Sequence, residues 1–595
     1  MCGIAGVVRR DLASNVQRSL AGMQRAIAHR GPDDSGTWQS AHCHAAFAHT
    51  RLAIIDPSPA GHQPMTIAGG RFTITYNGEI YNFAALRSSL VAAGVTFRSN
   101  SDTEVILRLY EAEGPAFVER LRGMFAFAIW DEVARTCLLA RDRFGIKPLY
   151  FHDAGGVLTF ASEVRALLTA GVPAEIEAAA AYQFFRTGSV PEPMTLIKDV
   201  RALDAGHYMI WRNGGVRLHR YWDVHFPEAA PLDDPAAVTR AALLDSVQHH
   251  FVSDVPVGVF LSGGLDSTAI VALARQLRTG ELRTFSLTFP GLPQDEGGDA
   301  RRTAEHFKTV HHEWPIDGAT AQPVFEEFLA AADQPSIDGF NTFMVARLAR
   351  RHETKVVLSG LGGDELFGGY PSFWRVPRLA RTRRLAGISG SVSAAVAGIA
   401  GSVGGTRVRR VPDLLSQPAT LHSAYSVFRG IYTRDEARAL TTHYLGGAVP
   451  ADELQGHDAD DPTAADGVSR LELTRYMRNQ LLRDADVTSM ASGVEVRVPF
   501  VDSALFNAVS RIPAAQRLQR GKLLLQHAVP ELPSWVINRP KRGFMLPIGT
   551  WLDHDWRGHL GELHPPPAIA MDTWYRRWSV LAFERWLQRL RPQHV

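Results

Sequence analysis

Cysteine is scarce in this 595-residue chain, occurring only as Cys2, Cys43 and Cys137. Thiols this far apart form neither a disulfide framework nor a metal knuckle, and they fit a reducing, cytoplasmic location. A charge excess of one sign is also missing. With 63 Lys and Arg against 61 Asp and Glu, the net charge of +2 offers no argument for nucleic acid or a membrane surface. The start of the chain has no basic segment followed by an apolar run, so no secretory signal is expected. One apolar stretch, 386–404, lies between Arg381, Arg383, Arg384 and Arg407, Arg409, Arg410. It is dense in Gly and Ser and short of the Leu, Ile and Phe that fill a membrane span of ~20 residues. It therefore reads as a surface insertion or mobile segment. No Gly-Lys-Ser/Thr occurs after a strand, which excludes a Walker phosphate loop.

What is present is an ordinary globular composition, 45% hydrophobic and 21% charged, on a chain too long for one core. Two or three domains are expected. The most informative local feature is Met1-Cys2-Gly3-Ile4. Methionine is excised readily before a small residue, which leaves Cys2 with a thiol and a free α-amine. That amine titrates near ~7.7–8.0 and can act as general base for its own side chain. Position alone does not separate this from a cysteine that happens to fall second.

The first two hundred or so residues read as short strands with glycine punctuation. Segments 71–76, 125–130 and 137–140 are expected strands, the last two flanking a turn at Asp131-Glu132. Helices are expected over 16–29 and 102–113. The pattern suggests an α+β sandwich of antiparallel sheets, with an N-terminal strand delivering Cys2 to a sheet end. Taken alone, Asn77-Gly78 reads as a hairpin turn and Arg51 as half of a surface ion pair.

Taken in order, the motifs say more. Cys2-Gly3-Ile4, His29-Arg30-Gly31-Pro32-Asp33, His49-Thr50-Arg51-Leu52-Ala53-Ile54, Tyr76-Asn77-Gly78-Glu79 and Ser101-Asp102-Thr103-Glu104 resemble the motif series of the class II glutamine amidotransferases, the N-terminal-nucleophile glutaminases. Arg141-Asp142-Arg143-Phe144-Gly145 and Phe160-Ala161-Ser162-Glu163 continue the match. The resemblance implies Cys2 as nucleophile, with Asn77 and Gly78 supplying an oxyanion hole. It implies Arg51, Ile54, Asn77, Glu79 and Asp102 as the glutamine site. Arg51 suits the α-carboxylate, and Glu79 with Asp102 the α-ammonium.

After a polar, proline-rich stretch the pattern changes to α/β. A buried strand over 255–261 leads into Ser262-Gly263-Gly264-Leu265-Asp266-Ser267 and a helix over 268–277. Strands are also expected over 283–289 and 355–358, the latter leading into Ser359-Gly360-Leu361-Gly362-Gly363-Asp364-Glu365. A small glycine-rich turn at a helix start offers N–H groups to an anion. Ser-Gly-Gly-x-Asp-Ser matches the pyrophosphatase loop of adenylating enzymes.

With the Glu495-Val496-Arg497-Val498-Pro499-Phe500, Gly521-Lys522-Leu523 and Arg539-Pro540-Lys541-Arg542-Gly543-Phe544 segments, these elements resemble the glutamine-hydrolysing asparagine synthetase B family over nearly the whole chain. The implied fold is a glutaminase sandwich (2–210), a linker (211–235) and an α/β, adenine nucleotide alpha hydrolase-like synthetase domain (236–595). The implied cofactors are ATP and Mg²⁺. The nucleotide would lie on Leu261, Ser262, Gly263, Gly264, Leu265, Asp266, Ser267, Leu287, Ser359 and Gly360. Asp266 and Asp364 would hold the metal, hard oxygen ligands for a hard cation, and Lys522 would neutralise charge on the adenylate. The implied partners are glutamine and a small-molecule carboxylate, with a homodimer and a carrier protein as further candidates.

One departure stands out. Family members usually read Ser-Gly-Glu-Gly where this chain has Ser359-Gly360-Leu361-Gly362. That glutamate is placed to take a proton from attacking ammonia, which leucine cannot do. Three explanations compete: another base such as Glu365 or the substrate itself; an acceptor other than aspartate, such as a uronic or natural-product acid; or a crippled synthetase, against which the intact ATP motifs speak. The favoured expectation is a different carboxylate, with Ser336, Asp338 and Asn341 near its pocket. An intramolecular amide ligase is the first rival, opposed by the intact Cys2, Arg51, Asn77 and Asp102. A non-enzymatic scaffold is the second.

Overall fold

The computed structural model describes residues 2–10, 16–385, 410, 412–415, 417–447, 461–539, 546–558 and 563–590, the side chains of 382–385 excepted. Segment 386–404 and residues 540–544 of the last motif lie outside the described residues. Among the described residues no helix is long and apolar enough to cross a membrane.

The chain first builds two six-stranded antiparallel sheets. One runs Val200–Ala202, Tyr150–Ala154, Val157–Ala161, Gly3–Arg9, Ala45–Arg51, Asp34–Gln39 in spatial order. The other runs Gly215–Arg220, His207–Arg212, Thr136–Arg141, Gly123–Asp131, Phe72–Ile80, Met65–Ile67. Alternation along the strands makes the layers. In Gly123–Asp131, Ala126, Ala128 and Trp130 point between the sheets, where they meet Ile4, Val8 and Phe47 of the first sheet. Phe125, Phe127 and Ile129 point outward under helix Asp102–Glu113. Ala5 and Val7 face the opposite outer layer with helix Val16–Ala26. The result is a helix–sheet–sheet–helix sandwich.

Three local readings change in tertiary context. Asn77-Gly78 is not a turn: both residues lie inside strand Phe72–Ile80, paired with Ala126 and Phe125. The helix expected over 16–29 ends at Ala26 and continues as a 3₁₀ turn, Ala28–Arg30. Strand Gly215–Arg220 falls inside the expected linker but pairs with His207–Arg212, so irregular chain begins only at Tyr221.

The rest of the chain is built on a five-stranded sheet, Val310–Pro315, Arg283–Thr288, Val257–Phe260, Val356–Leu358, Glu495–Arg497, with every pairing parallel. Helices cover it, and its core also takes in Met124, Phe144 and Ile146 from the sandwich side. Buried charges tie the two units together. Arg30, fully buried, donates to the Cys2 carbonyl (3.1 Å), Glu163 (3.0 Å) and Asp486 (2.7 Å). Arg497 pairs with Glu495 and lies 3.5 Å from Glu79. Breaking such a pair typically costs ~3–5 kcal/mol, because it strands a buried charge.

Candidate active sites

Strand Gly3–Arg9 sits inside its sheet, between Val157–Ala161 and Ala45–Arg51, and Cys2 immediately precedes it. The thiol is buried, which raises its pKa, while the amino terminus, the Leu52 N–H and Arg51 pull the other way. The Cys2 main-chain nitrogen donates to Asn77 Oδ1 at 3.0 Å. That bond orients the side-chain amide and leaves Asn77 Nδ2 buried with no partner among the described residues. A buried donor without an acceptor is costly, and beside a nucleophile it is what a developing oxyanion requires. Gly78 has φ +156°, and a Cβ there would stand 2.2 Å from the Met124 carbonyl oxygen. Only glycine permits the strands to approach this closely.

The remaining residues expected at the glutamine site converge on the same end. Ser101 caps helix Asp102–Glu113 through the Thr103 N–H, typically worth ~1 kcal/mol. The cap presents Asp102, which accepts from Tyr76 Oη (2.8 Å) and the Ile80 N–H (3.0 Å). Burial pushes its carboxyl up to about 6. Glu79 is also buried, its pKa driven well up by burial and by Glu495, and its Oε2 has no hydrogen-bond partner among the described residues. Arg51 is not the surface ion pair its residue type suggests. It is buried and donates to the carbonyls of Ile55, Asp56 and Ser58, holding the loop after Ile54. Leu52 and Ile54 pack on Val356 and Met490 of the other unit.

At the parallel sheet, Leu261 follows its strand and pairs through its N–H with the Phe285 carbonyl (2.9 Å), while Leu287 is buried on the neighbouring strand. Helix Leu265–Leu277 starts earlier than expected, so Leu265, Asp266 and Ser267 form its first turn. The serine hydroxyls fold the loop: Ser267 Oγ takes the Ser262 N–H (3.2 Å) and meets Ser262 Oγ at 3.1 Å. Gly263 adopts φ +67°. Gly360 packs against this turn, and the Ser359 N–H bonds the Arg497 carbonyl.

Lys522 reaches both expected metal ligands. Its ammonium bonds Asp266 at 2.5 and 2.6 Å and also contacts Asp364. The two carboxylates, 22% and 20% exposed, thus share one small, partly open space. Two hard oxygen donors open to a nucleotide's phosphates suit Mg²⁺, which rarely uses an all-protein cage. Lys522 itself is buried and held charged by the aspartates against the cost of burial.

Three further residues from the sequence motifs fall beside this site. Arg539 donates to the Gly263 carbonyl (3.2 Å) and Glu296 (2.8 Å). Leu361 packs on the sheet core, so it offers the site no polar atom. Glu365 is fully buried and accepts from Tyr370 Oη at 2.9 Å. Burial, with Asp364 and Glu472 nearby, pushes its carboxyl up to about 8. A folded-state carboxyl pKa raised this way lowers stability as pH climbs from the ordinary carboxylate range to 8, because the unfolded chain ionises first. Glu365→Gln should therefore be about 1 kcal/mol or more stabilising at pH 8 and close to neutral at pH 5, read by thermal denaturation at both pH values.

Beyond Tyr370 lies a cavity of about 740 Å³. Asp338 and Asn341 line it; Ser336 instead bonds Asp484 beside it.

A buried thiol beside a preoriented amide, joined to a Ser-Gly-Gly-x-Asp-Ser loop on a parallel sheet, defines a glutaminase coupled to a nucleotide-dependent synthetase. Comparison with known proteins agrees. Residues 1–222 match the glutamine amidotransferase domain family and residues 238–593 match asparagine synthase. The chain is 34% identical over 569 residues to asparagine synthetase [glutamine-hydrolyzing] 1 of Bacillus subtilis, covering 93% of this chain and 88% of that protein. It is 35% identical over 594 residues to a putative asparagine synthetase [glutamine-hydrolyzing] of Mycobacterium tuberculosis, covering 92% and 86%. Amidase chry2 of Gibberella zeae is 29% identical over 638 residues, covering 95% and 91%. The chain belongs to the asparagine synthase family and is a glutamine-dependent, asparagine synthetase-like amidotransferase.

Proposed function

We propose that this enzyme amidates a carboxylate other than aspartate. The observation that carries this reading is Leu361, a partly buried apolar side chain packed against the sheet core at the position expected to receive ammonia's proton. Similarity of this degree also extends to a relative named as an amidase, so the family's members do not share a single name. In this reading Cys2 attacks the glutamine carboxamide, its α-amine holding the thiol proton. Asn77 Nδ2 and Gly78 receive the oxyanion, while Arg51, Ile54, Glu79 and Asp102 hold the substrate's backbone end. Ammonia leaves, and water then frees glutamate from the thioester.

At the second site Ser262, Gly263, Gly264, Asp266, Ser267, Ser359 and Gly360 cradle ATP, with Leu261, Leu265 and Leu287 beside it. The acceptor carboxylate attacks the α-phosphorus and pyrophosphate departs. Asp266 and Asp364 would hold Mg²⁺, which supplies charge neutralisation on the phosphates. Lys522 stabilises charge on the adenylate as ammonia displaces AMP, and the proton lost by ammonia passes to the substrate, because Glu365 is buried and its carboxyl is already held protonated. Ammonia travels inside the protein; the apolar contact of Leu52 and Ile54 with Val356 and Met490 supports such a route.

The decisive experiment supplies glutamine, ATP and aspartate as sole acceptor, and follows AMP, pyrophosphate and asparagine by mass spectrometry. The expected result is glutamate release without asparagine. Robust asparagine formation would overturn the reading and make this an asparagine synthetase with a relocated base.

A further inference from the structure

The 740 Å³ cavity has three properties that bear on the acceptor. The first is its place. A Cβ on Gly369 would stand 2.5 Å from Lys522 Cε, so the chain at 369–370 touches the reactive lysine. The ring of Tyr370 meets that of Tyr476 edge-on at 5.9 Å, and Tyr476 lines the cavity. The chamber is thus one side chain away from the adenylation site. The second property is size. Ligand pockets for drug-sized molecules run roughly 300–1,000 Å³, far more than an acid as small as aspartate fills.

The third is charge. Arg475 lines the wall, half-buried, with no ion pair or hydrogen bond among the described residues. Burial and the neighbouring cations Arg478 and Arg470 raise the cost of its charge. Arg410, also in the wall, has no ion pair among the described residues either. By contrast Arg429 and Arg186 of the same wall are paired, with Glu472 and Asp413. Removing cations from water without a counter-ion is unfavourable, and an anionic ligand relieves it. The wall that carries Arg475 and Tyr476 is a π-helix, Glu472–Leu482, an uncommon winding that recurs at functional sites. Tyr425, Tyr476 and Trp574 supply ring faces and edges around it.

We infer that this cavity receives the body of the acceptor, and that the acceptor is a ring-sized carboxylic acid bearing a second anionic group, a phosphate or another carboxylate, that docks on Arg475 and Arg410. The inference rests on the acceptor being an acid other than aspartate. The reacting carboxylate then lies toward Lys522 and the second anion toward the arginines, so the two charges of the ligand set its direction.

The test titrates the full chain by calorimetry, with a non-hydrolysable ATP analogue present, using glucuronate, glucuronate 1-phosphate and glucarate. Both doubly anionic probes should bind roughly tenfold or more tighter than glucuronate. Arg475→Met should erase that advantage and Arg475→Lys restore part of it. Equal binding of all three probes, or no binding of the doubly anionic pair, overturns the proposal. So does an advantage that survives Arg475→Met combined with Arg410→Met. The wild-type comparison decides the matter even where a variant does not fold. Asparagine formation in the separate assay with aspartate would instead sink the acceptor reading, a failure distinct from that of the charge preference.

Discussion

Replacing Cys2 with alanine should lower glutamine hydrolysis by on the order of 10³-fold or more, while ammonium ion still supports amide formation at the second site. The structure makes this an unusually clean substitution. Cys2 is held through its main chain: the nitrogen bonds Asn77 and the carbonyl accepts from Arg30. Alanine keeps both bonds and the strand that follows, so only the sulfur is lost. The measurement is glutamate release from glutamine, paired with pyrophosphate release when ammonium replaces glutamine. Loss of both activities would mean that the thiol supports the second site structurally. Retention of glutaminase activity would remove Cys2 from the mechanism; the other buried thiol, Cys137, lies between the sheets among apolar side chains.

The second large effect is expected at Lys522. Lys522→Met should lower AMP formation by about 10²–10³-fold, the scale on which loss of one preorganised electrostatic contact acts. Glutamine hydrolysis should persist. The side chain bridges Asp266 and Asp364, so its removal leaves two like charges facing each other. Because both aspartates are partly exposed, the stability loss should be modest, about 1–2 kcal/mol. Lys522→Arg keeps the charge and should fall between the two. AMP production at the wild-type rate in the methionine variant would assign Lys522 a structural role only.

How much of this was legible beforehand depends on the range of the interaction. Helix Asp102–Glu113 was readable residue by residue, because Ser101 carries its cap locally. Three of the five parallel strands, Val257–Phe260, Arg283–Thr288 and Val356–Leu358, were readable from their apolar runs, whereas Val310–Pro315 and Glu495–Arg497 carry no such run and were not. Asn77-Gly78 was readable as chemistry within its motif but misleading as local structure. The pair favours a turn, and only pairing with Ala126 and Phe125 holds it extended. Arg51 shows the same conflict, since a lone arginine says nothing of the three carbonyls that surround it. Of the cavity, only Asp338 and Asn341 had been expected near an acceptor; Arg410, Tyr425, Arg475 and Trp574 come from separate parts of the chain and were out of reach.

The order of short motifs established the two chemistries and their sequence along the chain. A nucleophile, an oxyanion donor and a phosphate-binding turn are each specified by a few adjacent residues whose covalent spacing places them. Tertiary structure alone decided which polar groups are left without partners among the described residues: Asn77 Nδ2 close to Cys2, and Arg475 in the cavity wall. Whether a buried group is satisfied depends on neighbours brought together by packing, and no local pattern records them. The two halves also meet through Arg30, whose partners Glu163 and Asp486 lie far along the chain. Desolvation makes that contact strong, and desolvation exists only in the folded chain.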